Sequence, residues 1–361
     1  MRREVNRGDA SAPAGRATRA QIEVQEPPSQ WDEKLYGGRL SVIARAQNLV
    51  TVNKGVGDRG FMVCPECGRT EPVFGPGFTN PTLLRGGRPS RHNHPMEQGR
   101  TCDGQAVGPY YFGHRFPTDV LLLLLKTDGP VLCATAEEPG RSGRPGRVAL
   151  TSLAEAVCLA ASRILQIEEG ELAGNWCPVV GGGDREVYLF LYDLLPGGAG
   201  YTRLVKQNLK EVLAETEKLL ADCDCLSSCY RCLRHFGNTY LHPSLDRHLA
   251  GALLNHLIHG RHPILSQAEK HAALKPLLDF FALKQLTVQQ GASRSGQEVP
   301  LVLARADGSE IWVDVHHALT DPDEAGAGLR NLAEAELAEY CSLDSFTLLH
   351  DLPTAVATLQ L

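Results

Sequence analysis

Apolar residues recur along this chain in two rhythms. Short alternating or continuous apolar runs at 40–44, 49–52, 120–125, 148–150 and 186–192 predict strands. Spacings of three and four predict helices. Over 152–167 one face is Leu153, Ala156, Val157, Ala160, Ile164 and Leu165, and Ser152 with Glu155 reads as a capping box. Over 201–221 the inward face is Leu204, Val205, Leu209, Val212, Leu213, Leu219 and Leu220. Further helices are predicted near 245–259 and 266–284. A meander over 287–315, turning at Asp307-Gly308, precedes an acidic helix around 328–340 and a strand near 345–350. The longest unbroken apolar run, 120–125, is strand-sized and far short of the roughly 18 residues of a membrane span, so none is expected.

Between these elements the punctuation divides the chain. Residues 1–37 lack periodicity and read as a flexible lead-in; 38–118 read as a β-rich, ribbon-like region. Residues 119–262 carry the strongest helix and strand signals, and 263–361 form an acidic region of mixed structure. Positions 70–117 are rich in Gly, Pro, Arg and His and poor in aliphatics, and a segment with so little core material needs an external staple. Residues 1–35 hold no apolar signal core, and a cytoplasmic protein is expected.

With 43% hydrophobic and 22% charged residues in 361, the chain has globular proportions, which excludes wholesale disorder. Its net charge of −6 is unevenly placed. Residues 226–262 hold four Arg, six His and one acid, whereas 307–351 hold eleven acids and one Arg. The first patch suits DNA phosphates or a partner protein, and Arg231, Arg234 and Arg247 are its candidate contacts; the second suits docking to a protein.

Seven of the eleven Cys fall into two groups. Cys223, Cys225, Cys229 and Cys232 place four thiols within ten residues, after a helix. Four soft ligands suit tetrahedral zinc and leave no open coordination position, so the site is a structural staple. An iron–sulfur cluster also takes four Cys, and spacing alone does not separate the two. His235 and His242 lie nearby, but four sulfurs suffice without them. Cys64-Pro65-Glu66-Cys67-Gly68 is a zinc-knuckle sequence whose second half is expected from His94 and Cys102, with His92 as the alternative to His94. Cys133, Cys158, Cys177 and Cys341 stand alone and read as core thiols.

A strand followed by Pro196, Gly197, Gly198, Ala199 and Gly200 and then a helix is an arrangement whose backbone N–H groups can hold an anion; tight packing asks for the same glycines. Asp193, Tyr201 and Arg203 flank it as candidate phosphate-backbone contacts. No P-loop pattern occurs in the chain. Asp314 and His316 would be the centre of a metal-dependent nuclease, although no Lys follows Lys284 to complete such a site.

The strand at 187–193, the glycine turn with Tyr201, the four Cys, Leu233, Asn238 and Leu245-Asp246-Arg247 together resemble the MrfA-like zinc-binding domain family. Val52-Asn53-Lys54-Gly55, Phe61 and the Cys64–Cys67 knuckle are similar to the region that precedes this domain, so the resemblance covers roughly 38–262. It implies the C-terminal domain of bacterial DEAD/DEAH-box helicases, or of partner proteins such as those of DISARM-type phage defence. The fold it implies is α/β (α+β): a strand–Gly turn–helix core with a four-Cys zinc hook and a zinc-ribbon-like insertion. Zinc is the implied cofactor, a helicase in trans or in the same protein the implied partner, and DNA repair or phage defence the setting. Any ATPase would lie outside this stretch, which is expected to be non-catalytic. Two other classes are a protein-interaction scaffold without DNA contact and the nuclease above.

Overall fold

The computed structural model describes residues 20–24, 28–73, 91–135, 143–195, 197–305 and 308–359. Two compact units divide the chain: residues 1–27 with 47–118, and residues 28–46 with 119–361. The lead-in expected over 1–37 contains structure in its described part. Strand β1 (Ala20–Val24) pairs antiparallel with 49–53, and β2 (Glu33–Leu35) pairs antiparallel with 40–42, both on the 14-residue β3 (Leu40–Asn53). The two apolar runs of β3 are thus one strand.

In the first unit, β4 (Phe61–Val63) is the centre of a three-stranded ribbon between β5 (Thr70–Pro72) and β8 (Val107–Tyr110). The two-residue strands β6 (His92–Asn93) and β7 (Thr101–Cys102) form a separate hairpin. Strand β9 (Phe112–Lys126) follows.

The second unit is built on an antiparallel sheet. There the C-terminal half of β9 pairs with β11 (Glu186–Asp193), and β11 pairs with β10 (Leu172–Pro178), a strand its mixed sequence did not announce. The Leu run of β9 is buried throughout, as a strand covered on both faces must be. Leu121, Leu123 and Leu125 join Val187, Leu189 and Leu191 in the main core.

The helix α1 (Arg144–Leu165) packs on that core. It begins well before the expected 152, because the triplet 148–150 forms its second turn and not a strand; three apolar residues carry no period to tell the two apart. Ser152 is consequently no cap. It is fully buried mid-helix, where its Oγ accepts the Asp246 N–H at 2.7 Å. At 22 residues α1 is long and apolar enough to cross a membrane by length and composition, but 72% of its most apolar window is buried inside the protein, as in a core helix.

The helix expected over 201–221 is two: α2 (Tyr201–Gln207) and α3 (Leu209–Ala221), broken at Asn208 (φ −108°, ψ 24°). Then come α4 (Arg247–His259), capped by the Asp246 carboxylate, and α5 (Gln267–Leu283), opened by a Ser266–Glu269 capping box. The C-terminal sheet has the order β12 (Val288–Arg294), β13 (Gln297–Ala304), β14 (Glu310–His316), β15 (Glu339–Asp344), with β15 parallel to β14 across α6 (Pro322–Ala325) and α7 (Ala327–Ala335). Of the expected Asp307-Gly308 turn, Asp307 lies outside the described residues. The strand expected at 345–350 is α8 (Ser345–His350), and α9 (Leu352–Thr358) follows. Asp344 fixes that helix start by accepting the Thr347 N–H at 2.8 Å.

Candidate metal centres and their surroundings

The hook begins where α3 ends. Cys223 and Cys229 Sγ lie 3.5 Å apart, Cys225 and Cys232 3.6 Å, and Cys229 and Cys232 3.9 Å. Four sulfurs at about 2.3 Å from one ion would be about 3.8 Å apart, so the four thiols already enclose a mononuclear site; a multi-iron cluster would hold them further apart. The backbone assists. The Arg231 N–H points at Cys229 Sγ (3.4 Å) and brings that thiol down to about 6, while burial pushes Cys232 up to about 12. One sulfur is ready as a thiolate, and a dication supplies the charge that deprotonates the rest.

Neighbouring side chains lock the loop. Arg247 donates to the carbonyls of Cys225 and Leu220, both at 3.0 Å, and its N–H donates to Ser227 O at 2.7 Å. Arg234 donates to Ser228 Oγ at 2.9 Å. Of the three arginines expected to meet DNA or a partner here, these two therefore have internal work, and Arg231 is the exposed one, its side chain beside the Cys229 sulfur. His235 and His242 are no part of the sulfur cluster. His235 Nε2 lies 3.2 Å from Glu155, which also accepts from the buried Asn238 side chain, and His242 Nε2 lies 3.1 Å from Asn238 Oδ1. Hydrogen bonding to Glu155 raises the pKa of His235. Glu155, read from sequence as half of a cap, is thus a brace for the segment after the hook.

The second centre lies in the first unit. Cys64, Cys67, His92 and Cys102 offer ligand atoms that all lie within 4.8 Å of one another. Cys64 and Cys102 Sγ are 3.8 Å apart, and Cys67 Sγ is 3.1 Å from His92 Nε2. The knuckle closes through the Gly68 N–H on Cys64 O (2.8 Å), with Gly68 at φ +74°. The histidine is His92, not the expected His94. His92 stands directly opposite Cys102 in the β6–β7 ladder, so the two side chains project together. His94 lies past that pairing, with Nδ1 accepting the Met96 N–H at 3.3 Å. The long insertion between the halves falls largely at 74–90, outside the described residues.

The glycine turn holds an anion of its own. Pro196 lies outside the described residues, but the fully buried Asp193 carboxylate accepts from Ala199 (2.6 Å), Tyr201 (3.1 Å) and Thr202 (3.0 Å) N–H groups. The donors that a phosphate would need are filled from within, so Asp193 is the occupant of this site and not a contact beside it. Gly197, Gly198 and Gly200 take φ of +92°, +81° and +84°, and a Cβ on Gly198 would come within 2.5 Å of Asp119 Oδ2. The other oxygen of Asp119 accepts from Arg203 at 3.0 Å, so Arg203 is also paired.

Asp314 is 3% exposed on its side chain and holds Lys270 Nζ at 2.7 Å, and His316 Nδ1 lies 2.8 Å from Ser342 Oγ. Lys270 precedes these residues in sequence and reaches them from α5, a placement the spacing did not foretell. Burial pushes the Cys133 and Cys341 thiols to about 12 and about 11, in keeping with core thiols.

Two thiol-rich centres without an open position, one on an α/β core and one on a ribbon, define a zinc-stapled protein. Residues 153–233 match the family model of the MrfA Zn-binding domain. Over 336 residues the chain is 32% identical to the Druantia protein DruE of Escherichia coli (strain UMEA 4076-1), covering 89% of this chain and 18% of DruE. It therefore spans less than a fifth of the length of that relative. Among solved structures, the DUF1998 helicase MrfA bound to DNA is similar over 65% of this chain and 24% of its own, at 14% identity and a TM-score of 0.36. A second MrfA structure is similar over 59% and 22%, at 11% identity and a TM-score of 0.29. Zinc is the ion that the matched domain model names, and both donor sets suit it.

Proposed function

We propose that this chain is the zinc-stapled accessory part of a DNA-helicase system, serving DNA repair or phage defence, non-catalytic itself and contacting DNA or the helicase beside the hook. The observation that carries this reading is the four-thiol hook at 223–232, which lies within the segment matched to the MrfA domain. Cys223, Cys225, Cys229 and Cys232 hold one zinc; Cys64, Cys67, His92 and Cys102 hold a second. Around the hook the surface is apolar and basic together: Leu226, Tyr230, Phe236 and Tyr240 are exposed, Phe236 to 94%, next to Arg231. Exposed aromatics and an Arg are the composition of a contact face. The helicase role comes from the relatives, since MrfA is described as a helicase and was solved with DNA.

The test is duplex and single-stranded DNA binding by the zinc-loaded chain over a salt series, with elemental analysis of the same preparation. Two zinc per chain and a steep fall of affinity with salt are expected, with Arg231→Ala reducing the slope by about one phosphate contact. Absence of metal in reduced protein, together with melting indifferent to a chelator, overturns the reading.

A further inference from the structure

The unit formed by 1–27 and 47–118 differs in charge from the rest of the chain. It holds thirteen Lys and Arg against nine Asp and Glu, a net +4, which leaves −10 on the other unit. On this positive unit, along β8 and the start of β9, stands a succession of exposed rings. Tyr110 is 51% exposed, Tyr111 55% and Phe112 44%, and His114 is exposed as well. Large apolar surfaces of this kind, in sequence on one short segment, mark a binding face more often than a solvated one.

Three of these rings are braced. Tyr111 donates its hydroxyl to Asp58 O at 2.8 Å. Phe112 leans on the buried Phe61 with centroids 5.2 Å apart, and His114 lies parallel to Phe116 at 5.7 Å with planes 10° apart. The alternation of β9 sends Phe112, His114 and Phe116 to one side, from backbone positions about 7 Å apart along the strand. Two exposed arginines adjoin them. Arg59 follows the residue that anchors Tyr111, and Arg115 sits between His114 and Phe116; neither has an acidic partner among the described residues. Fixed rings cost little side-chain entropy when a flat ligand covers them.

We propose that this segment is a stacking platform for single-stranded nucleic acid. Tyr110, Phe112 and His114 offer faces to unpaired bases, and Arg59 and Arg115 meet the backbone phosphates. A polyanion that also carries flat apolar groups is what exposed arginines beside bared rings complement, and a single strand presents both. A duplex keeps its base faces stacked against one another and offers only edges and phosphates. The proposal rests on the DNA contact proposed above and places a second contact on a different unit from the hook.

The test is fluorescence anisotropy of a labelled oligo-dT of about 20 nucleotides, and of a duplex of the same length, against the full zinc-loaded chain. Single-strand affinity should exceed duplex affinity at equal salt. Phe112→Ala and Tyr110→Ala should each weaken oligo-dT binding about 5- to 150-fold, the stacking loss per base converted at tenfold per 1.4 kcal/mol. Phe112→Tyr should restore binding, and Arg115→Ala should lower the salt slope by about 0.7. Zinc content distinguishes a lost platform from a lost fold, because ring variants should keep both ions. Ring variants that bind oligo-dT like the parent overturn the platform while leaving the hook contact standing. So does a duplex bound as tightly as the single strand, or a loss confined to association with another protein. Failure to bind any DNA overturns the platform and the DNA contact of the hook together.

Discussion

Asp193→Asn should be among the more damaging isosteric changes in this protein. The native carboxylate is fully buried and takes three N–H donors, two on Oδ2 and one on Oδ1. An Asn has one oxygen. In its best orientation that oxygen faces Ala199 and Tyr201, and its NH2 then confronts the Thr202 N–H. One buried donor loses its acceptor, which costs about 1–3 kcal/mol. The two remaining hydrogen bonds pass from charge-assisted to neutral, each weakening by about 1 kcal/mol. The expected loss is therefore about 3–5 kcal/mol, a large part of the 5–15 kcal/mol typical of a native fold. Urea unfolding of the zinc-loaded protein, followed by circular dichroism, measures it as a lower midpoint at unchanged slope. Asp193→Ala strips all three donors and should be worse still. An Asn variant within about 0.5 kcal/mol of the parent, or an Ala variant more stable than the Asn one, would refute the internal-anion account of the glycine turn.

His92→Ala should lower zinc from two ions to one per chain by elemental analysis, whereas His94→Ala should leave the count unchanged; the reverse result returns His94 to the site. Lys270→Met leaves the Asp314 carboxylate buried without its cation and should destabilise by about 3–5 kcal/mol in urea titration. Burial lowers the pKa of His256 and brings His317 down to about 4, both below the 6.5 of an unfolded imidazole. As pH falls below about 6.5 the unfolded chain takes up protons that the folded one refuses, so stability falls between pH 6.5 and about 4. For His317 the loss is at most about 3 kcal/mol, and His317→Asn should shrink the drop measured by urea midpoints at pH 7 and pH 5.

The clusters of chemistry were legible to different degrees for one physical reason: the range over which ligands are collected. The hook collects four sulfurs within ten residues, so spacing alone picked out the four thiols that the structure brings together. The second centre draws on residues 38 positions apart, and its histidine depends on which of two residues the β6–β7 ladder sets across from Cys102. No local pattern separates His92 from His94. The arginines show the same limit. Arg203, Arg234 and Arg247 had the composition of a basic face, but acceptors supplied by folding decide that their guanidinium groups brace the protein.

The chain's own order of residues settled the mixed α and β content, the glycine turn between strand and helix, the four-thiol hook and its likeness to the MrfA Zn-binding domain, because each is written in near neighbours. Tertiary structure decided the rest. It made 148–150 a helical turn by extending α1 back to Arg144, turned 345–350 from strand to helix behind Asp344, and filled the N–H groups of the turn with Asp193. A buried donor takes whichever acceptor packing brings within about 3 Å, and packing sums contacts from distant parts of the chain that no local window contains.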